Sequence, residues 1–377
     1  MSFRRFRAVF KKEGLHIVRD PRSLTAALFV PIVMLLLFGY ALTLDVDQVP
    51  TLIYDQDRTP ESRALIEAFR GSRFFSVSET LGGHPAIRHE IDHDRALLGI
   101  VIPADFSRSL ARDQEATIQL LLDGSDSNTA SIAAGYAEAL VMAYSAGVRD
   151  AALKRRGMGE LKVPIDARVR VLYNRELKSK NFIVPGIIAV VLMIVSALLT
   201  SLTIAREWEN GTMEQLLSTP VRPVELLMGK LCAYFVLGMA DMAVSLIIGV
   251  GVFGVPLRGN ILLLIVTSGL FLFGALCWGI FLSTVARSQL LAYQASIVTS
   301  FLPAFLLSGF IFAIENMPLV IQQFTRIFPS RYFVTILQGI FLKGTGLRVL
   351  WVEIVFLLVY AVIVFTVASR KMRQKVA

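Results

Sequence analysis

Two imidazoles one helical turn apart, with a carboxylate beside the first, would make HEIDH, His89 to His93, part of a zinc peptidase centre. In the H-E-x-x-H pattern both histidines bind metal and the glutamate, here Glu90, activates a water. The context for that chemistry is poor. In the longer form of the motif Ala96 takes the place of the glycine and Gly99 that of the last histidine, which leaves a distant carboxylate such as Glu115 to complete the set. A match of five residues arises by chance, and a solvated helix face accounts for it equally well.

Other chemistry is harder still to place. An ATP-binding loop needs G-x-x-x-x-G-K-[ST], but the pair Gly229-Lys230 is followed by Leu231 and has Val224 where the first glycine should stand. An ion-coupled carrier keeps ionisable groups in its spans, each costing on the order of 3 kcal/mol at mid-membrane. The candidates are Asp241 and Glu353. Glu353 is near enough to a span end to reach the interface. Asp241 is deeper and fits either a polar lining or an interhelical hydrogen bond. Neither forms a relay.

The elements that would carry these residues are set by composition. The chain is 55% apolar and 18% charged, with a mean hydropathy of +0.62. That is a polytopic membrane protein rather than a soluble domain. A net charge of +9 raises nucleic acid as a partner, yet many basic residues sit at the two ends and none form a run longer than three. Membrane orientation explains them better. Cys232 and Cys277 both fall in apolar runs, so no disulfide framework or Cys-ligated metal site is expected.

A helix needs roughly 20 apolar residues to cross a hydrocarbon core. Six segments qualify, at 24–44, 182–205, 231–255, 260–282, 289–314 and 349–368. The first follows a charged leader and exceeds a signal-peptide core, so it reads as an uncleaved anchor. The leader places Phe3, Phe6, Phe10 and Ile17 at helical spacing among basic residues, which suits a helix over 1–23 lying in the inner interface. Apolar but short runs over 315–346, carrying Arg326, Arg331 and Lys343, read as a re-entrant hairpin.

Arg4, Arg5, Arg7, Lys11 and Lys12 in the leader, and Arg370, Lys371, Arg373 and Lys375 in the tail over 370–377, place both termini in the cytoplasm. An even number of spans agrees, although the basic residues of the hairpin point the other way. Residues 45–180 then lie outside. With 18 basic and 20 acidic side chains they form a balanced, folded domain. Strand patterns at 51–54, 74–79, 98–103, 117–122 and 167–173 alternate with helical ones near 60–70, 86–95 and 103–112. Pro103 suits the first position of the last of these. A closing helix over about 127–156 repeats Ile132, Tyr136, Leu140, Tyr144 and Val148 as a packing stripe. The fold class is thus a polytopic α-helical membrane protein with six transmembrane helices and an external α/β domain inserted between the first and second.

One polar stretch remains, REWENGTMEQLLSTPVRPVELLMGK, Arg206 to Lys230, between two apolar runs. Its charge is mixed, so it is no simple basic anchor. Gly211-Thr212 can start a short helix, Thr219-Pro220 disfavours its continuation, and Pro223 with Glu225 makes a good first turn for the next span. Two short rigid pieces can transmit a push that a flexible linker would absorb.

This stretch, the layout of one span, a large domain and five spans, and the segments RDPRSL (19–24), Pro31, VIPADF (101–106) and DGSDSNTA (123–130) resemble the type-2 ABC exporter permeases of bacteria. The resemblance covers nearly the whole chain, and Glu207 to Lys230 is its most specific part. It implies a non-catalytic permease subunit in the bacterial inner membrane, moving hydrophobic or amphipathic compounds outward by alternating access. A separate ABC ATPase would bind ATP and Mg, and this chain no cofactor. Two six-span subunits, identical or paralogous, would form the pathway in membrane lipid, with a periplasmic membrane-fusion adaptor as a further partner of the external domain. In such proteins the segment at 206–225 forms a coupling helix that docks on the ATPase, which maps onto Glu207, Glu209, Gly211, Thr212, Glu214, Gln215, Leu216 and Pro220. The second and fifth spans line the pathway, which points to Phe182, Phe301, Phe305, Ser308 and Phe310, with Pro303 and Gly309 as bends. The competing readings are a membrane-anchored zinc metallopeptidase using HEIDH and an ion-coupled secondary transporter.

Overall fold

The computed structural model describes residues 2–41, 48–112, 114–155, 172–174, 178–286, 288–312 and 314–376. The chain divides into two compact units, one made of residues 1–43 and 171–377, the other of 44–170.

Helix α1 (Phe3–Arg19) buries Val9, Glu13 and Ile17, which recur every fourth residue. The rings of Phe3, Phe6 and Phe10 form a separate ladder, with centroids 6.2 and 6.3 Å apart. Ile17, seven residues or two turns beyond Phe10, packs in one apolar cluster with it, as the spacing predicts, while Val9 joins another. Helix α2 (Pro21–Ala41) carries Pro31 inside it, and its stretch Ala27–Ala41 is apolar.

The inserted unit contains a four-stranded sheet. Its order is β2 (Phe75–Glu79), β1 (Val49–Asp55), β3 (Leu98–Ile102), β4 (Gln119–Leu122). β1 runs parallel to β2 and β3, and β4 is antiparallel to β3, with Ile53 opposite Ile100 and Leu98 opposite Leu122. Every residue of β3 is buried, as expected of a central strand covered on both faces. Helices α3 (Pro60–Arg70), α4 (Gly83–Asp92), α5 (Phe106–Ala111) and α6 (Ser127–Arg155) complete the unit. Its core gathers Ile53, Leu65, Phe69, Leu98, Ile100 and Phe106, and Tyr136, Leu140 and Tyr144 of the α6 stripe pack against it. The fifth expected strand, 167–173, lies outside the described residues except for Leu172 and Tyr173, which are not in a strand.

Pro103 does not begin a helix. α5 starts three residues later, after a turn in which the Phe106 amide donates to the Pro103 carbonyl at 3.2 Å. The Ser107 amide and hydroxyl donate to Asp57 at 3.1 and 3.0 Å, so the carboxylate that satisfies the helix start comes from a distant loop.

In the other unit, α7 (Ser179–Glu209) is the central element. It packs against α2, α9 (Pro223–Gly251), α10 (Ile261–Val285) and α14 (Pro329–Gln338), and nearly all its residues from Ile183 to Ala197 are buried. A short helix α8 (Thr212–Leu217) separates α7 from α9. The next membrane-length helical run is Gln289–Leu306, made of α11 (Gln289–Ser296), a π-helical turn Ile297–Phe301 and α12 (Leu302–Leu306). It is shorter than the expected 289–314, running through Pro303 but ending at Leu306, after which Leu307 leaves helical geometry and Gly309 takes a left-handed φ of 83°. The last helix, α15 (Leu347–Val376), packs on α10. Among the described residues five helices are long and apolar enough to cross a membrane: α7, α9, α10, the run Gln289–Leu306 and α15.

The region 315–346 forms α13 (Leu319–Thr325), α14 and a π turn Gly339–Lys343. α14 buries Phe333, Val334, Ile336 and Leu337, and Phe333 stacks on Phe271 of α10 with ring centroids 4.1 Å apart. Arg331 donates to the Gln322 carbonyl at 3.2 Å and to Thr325 Oγ1 at 2.6 Å, tying α14 to α13. An arginine that reads from sequence as an orientation signal thus has a local structural partner.

Candidate functional site

The polar stretch between α7 and α9 is shaped by one residue with special backbone freedom, Gly211, and one with little, Pro223. Asn210 ends α7 and Gly211 turns the chain with a φ of 68°, a left-handed conformation that glycine adopts without a Cβ penalty. α8 follows for under two turns. Pro223 then occupies the first turn of α9, where its missing N–H goes unmissed, and Glu225 reaches back to accept from the Arg222 amide at 3.1 Å. The helix begins at Pro223, as Pro223 and Glu225 indicate in the sequence, eight residues before the apolar run at 231, and Lys230 lies two turns inside it.

That extension is possible because α1 lies along α9. Val9 sits against Gly229, where an added Cβ would come within 2.6 Å of Val9 Cγ1. One turn beyond Val9 on α1, beside the residue that follows Gly229 on α9, four charged side chains meet. Lys230 Nζ is 3.0 Å from Glu13 Oε1 and 3.0 Å from Glu207 Oε1. Lys12 Nζ is 2.8 Å from Glu207 Oε1 and 3.1 Å from Glu13 Oε1. The cluster joins α1, the end of α7 and the start of α9. Lys230 is 1% exposed and Glu207 7%, so these ions have left water and depend on each other. Burial opposes the charge on Lys12, but Glu207 and Glu13 outweigh it and raise its pKa. Burial likewise opposes ionisation of Glu13, and Lys230 and Lys12 overcome that to hold its carboxyl below the usual range.

Further polar contacts surround this cluster. Arg206 reaches Asp20 at 3.3 Å and Gln289 Oε1 at 3.3 Å. Glu209 accepts from the Gln289 amide at 2.6 Å and its side chain at 2.5 Å. Glu225 accepts from the Ser2 amide at 2.6 Å. Met213 of α8 is 1% exposed and joins a core with Ile204, Leu226 and Leu227. The short helix is thus held from beneath, while Gly211, Thr212, Glu214, Gln215 and Pro220 are exposed and Leu216 is half-buried. Of the residues assigned to coupling, Glu207 and Glu209 brace the element, and Glu214, Gln215 and Pro220 face outward.

Lys230, Glu13 and Lys12 were not singled out from the sequence as a group. A signal existed. Glu13 is the one acidic residue between Phe3 and Arg19 and falls four residues from Val9 and from Ile17, the residues α1 buries with it.

The pathway candidates do not form one group. Phe301, Phe305 and Phe310 are neighbours, with centroids 5.4 Å apart for Phe301 to Phe305 and 6.2 Å for Phe305 to Phe310. Phe38 of α2 approaches Phe305 at 5.8 Å. Phe310 lies on Gly186 of α7 and is 3% exposed. Ser308 is buried and its hydroxyl has no partner among the described residues. Phe182, at the start of α7, is 41% exposed.

Asp241 is buried in α9, with one carboxylate oxygen 3.5 Å from the Ser245 hydroxyl and the other unpaired among the described residues. In the inserted unit, His89 and Glu90 fall on α4 and His93 follows as its cap. Their polar atoms face protein groups. His93 Nδ1 is 2.8 Å from the His89 carbonyl, Arg95 pairs with Glu90 at 3.1 Å, and Arg95 also stands 3.4 Å from His89 Nε2. Among the described residues no three His, Cys, Asp or Glu side chains come together as a metal site.

Residues 22–370 match the family described as ABC-2 family transporter protein. The chain is 37% identical to "Probable multidrug ABC transporter permease YbhS" of Escherichia coli (strain K12), over 100% of this chain and 98% of that protein. It is 32% identical to "Probable multidrug ABC transporter permease YbhR" of the same strain, over 99% of this chain and 100% of the other. With "Inner membrane transport permease YhhJ" of that strain it shares 27% identity over 87% and 86%. The family implies an ATPase partner. Its apolar helices, its braced polar element and these likenesses together make this chain a non-catalytic, multi-pass membrane permease of the ABC-2 transporter family.

Proposed function

We propose that this permease is the membrane subunit of an ATP-driven exporter that moves hydrophobic or amphipathic compounds out across the inner membrane by alternating access. The observation that carries the reading is the cluster of Lys12, Glu13, Glu207 and Lys230, which ties the end of α7 and the start of α9, on either side of α8, to each other and to α1. A displacement of α8 is then passed to α7 and α9 rather than lost in a loop. In this proposal α2 adds a sixth span, both termini and α8 face the cytoplasm, and residues 45–180 lie on the outer side. A second copy or a paralogue completes the pathway, with Phe301, Phe305, Ser308 and Phe310 along it and Phe182 near one end. The inserted domain guides exit, alone or with an adaptor. The names of the relatives support drug-like cargo.

Glu214 and Gln215 supply the ATPase contact. A cysteine at position 214, in the permease co-expressed with its ATPase, is expected to cross-link to that subunit, and Glu214→Arg to reduce co-purification without loss of folded permease. Cross-linking from position 336 in α14 but not from 214 would contradict the assignment.

A further inference from the structure

Beside the charge cluster lies a cavity of about 470 Å³ lined by residues of α1, α7, α8 and α9. Its two ends differ in chemistry. Glu207 and Lys230 are buried, while Lys12 and His16 are exposed, so one end is deep and charged and the other meets solvent. Leu199 and Leu202, one to two turns back along α7, give it an apolar wall.

The deep end is incomplete. Glu207 is 93% buried, both lysines approach its Oε1, and its Oε2 is buried with no hydrogen-bond partner among the described residues. A buried acceptor without a donor costs on the order of 1–3 kcal/mol, more when charged, so a donor there is strongly favoured. The charge of that donor is constrained as well. Two lysines and two glutamates sum to zero, and Arg206 is paired with Asp20. An added ammonium would sit beside two others, and an added anion would meet the carboxylate.

We propose that this cavity binds an uncharged amphiphile, whose head donates an O–H hydrogen bond to Glu207 Oε2 and whose alkyl body lies along Leu199 and Leu202. A glycerol or sugar head on an acyl or alkyl chain has this chemistry. The assignment concerns binding alone and goes beyond the transport reading.

The test uses the full-length permease in phosphatidylcholine nanodiscs, without ATPase or nucleotide, so that its failure leaves the exporter reading untouched. A photoactivatable monoacylglycerol is cross-linked and the labelled peptides are mapped. Labelling is expected on the segment containing Leu199 to Glu207. Monododecanoylglycerol should compete about tenfold better than dodecylamine or dodecyl sulfate, the margin of one hydrogen bond to a charged group. Dioleoylglycerol in the disc and octyl glucoside added from water separate a membrane source from an aqueous one, and competition by either supports the site. Leu202→Trp, which fills the apolar end without touching a charge, should cut labelling by about tenfold, as expected for a blocked apolar subsite. Glu207→Gln leaves the cluster with one excess positive charge, so dodecyl sulfate should become the better competitor. Equal competition by all amphiphiles, labelling unchanged by Leu202→Trp, or competition by neither neutral source overturns the proposal.

Discussion

Lys230 Nζ stands 3.0 Å from Glu207 Oε1, joining the second turn of α9 to the last turn of α7 across the polar element that connects them. The two residues are 23 apart in sequence and both are buried. With Glu13 and Lys12 of α1 they form a joint between three helices. Such a joint adds little net stability compared with apolar packing, but it fixes one arrangement, because removing any one ion strands the others.

Lys230→Met is therefore expected to destabilise this unit by about 3–5 kcal/mol, the usual loss when one partner of a buried ionic group is removed. Thermal unfolding of the purified permease in nanodiscs measures it. The double variant Lys230→Met with Glu207→Gln should recover part of the loss. No recovery would mean that the two side chains do not depend on each other.

Gly211→Ala should destabilise the turn by about 1–2 kcal/mol, since alanine resists the left-handed region. Gly211→Asn should cost less, because asparagine tolerates that conformation. Amide exchange in α8 and at the end of α7 reports the effect. Equal protection in wild type and Gly211→Ala would show that the turn does not rely on this backbone state.

The cluster also sets a pH dependence. Glu13 is held below its usual pKa, so its contribution is present above about pH 4.3, the ordinary glutamate value, and lost as pH falls through its depressed native value. Lys12 is raised, so its contribution is present below about pH 10.4 and lost as pH rises through its native value. The difference in melting temperature between wild type and Glu13→Gln should be flat near neutrality and shrink in acid. A difference that grows as pH falls would reverse the assigned sign.

Much of this architecture was legible because its signals are local. Apolar length marked α7, α9, α10 and α15, and the alternating pattern marked β1 to β4. The helical pattern near 60–70 falls on α3. What escaped depended on distant partners. α5 starts at Phe106 rather than Pro103 because Asp57, fifty residues away, supplies its cap. Pro223 and Glu225 marked the start of α9, but not that α1 would cover Glu225 and Lys230 within it. A lysine in the pair Gly229-Lys230 looks like a fragment of a nucleotide loop or the edge of a span until Glu13, 217 residues away, is placed beside it. Within the polar element the turn at Gly211 and the short helix after it were readable. The division between buried Glu207, Glu209 held at the surface by Gln289, and outward Glu214 and Gln215 was not, since each is a glutamate or glutamine on a short stretch.

The account rests on work arriving at α8 from a nucleotide-driven partner, and transport by the permease reconstituted into vesicles tests this most directly. With the partner ATPase and ATP, cargo should accumulate against its gradient, and Asp241→Asn should preserve that accumulation. Without the ATPase, an imposed proton or sodium gradient should move none uphill. Uphill transport driven by the ion gradient alone, abolished by Asp241→Asn, would contradict the account.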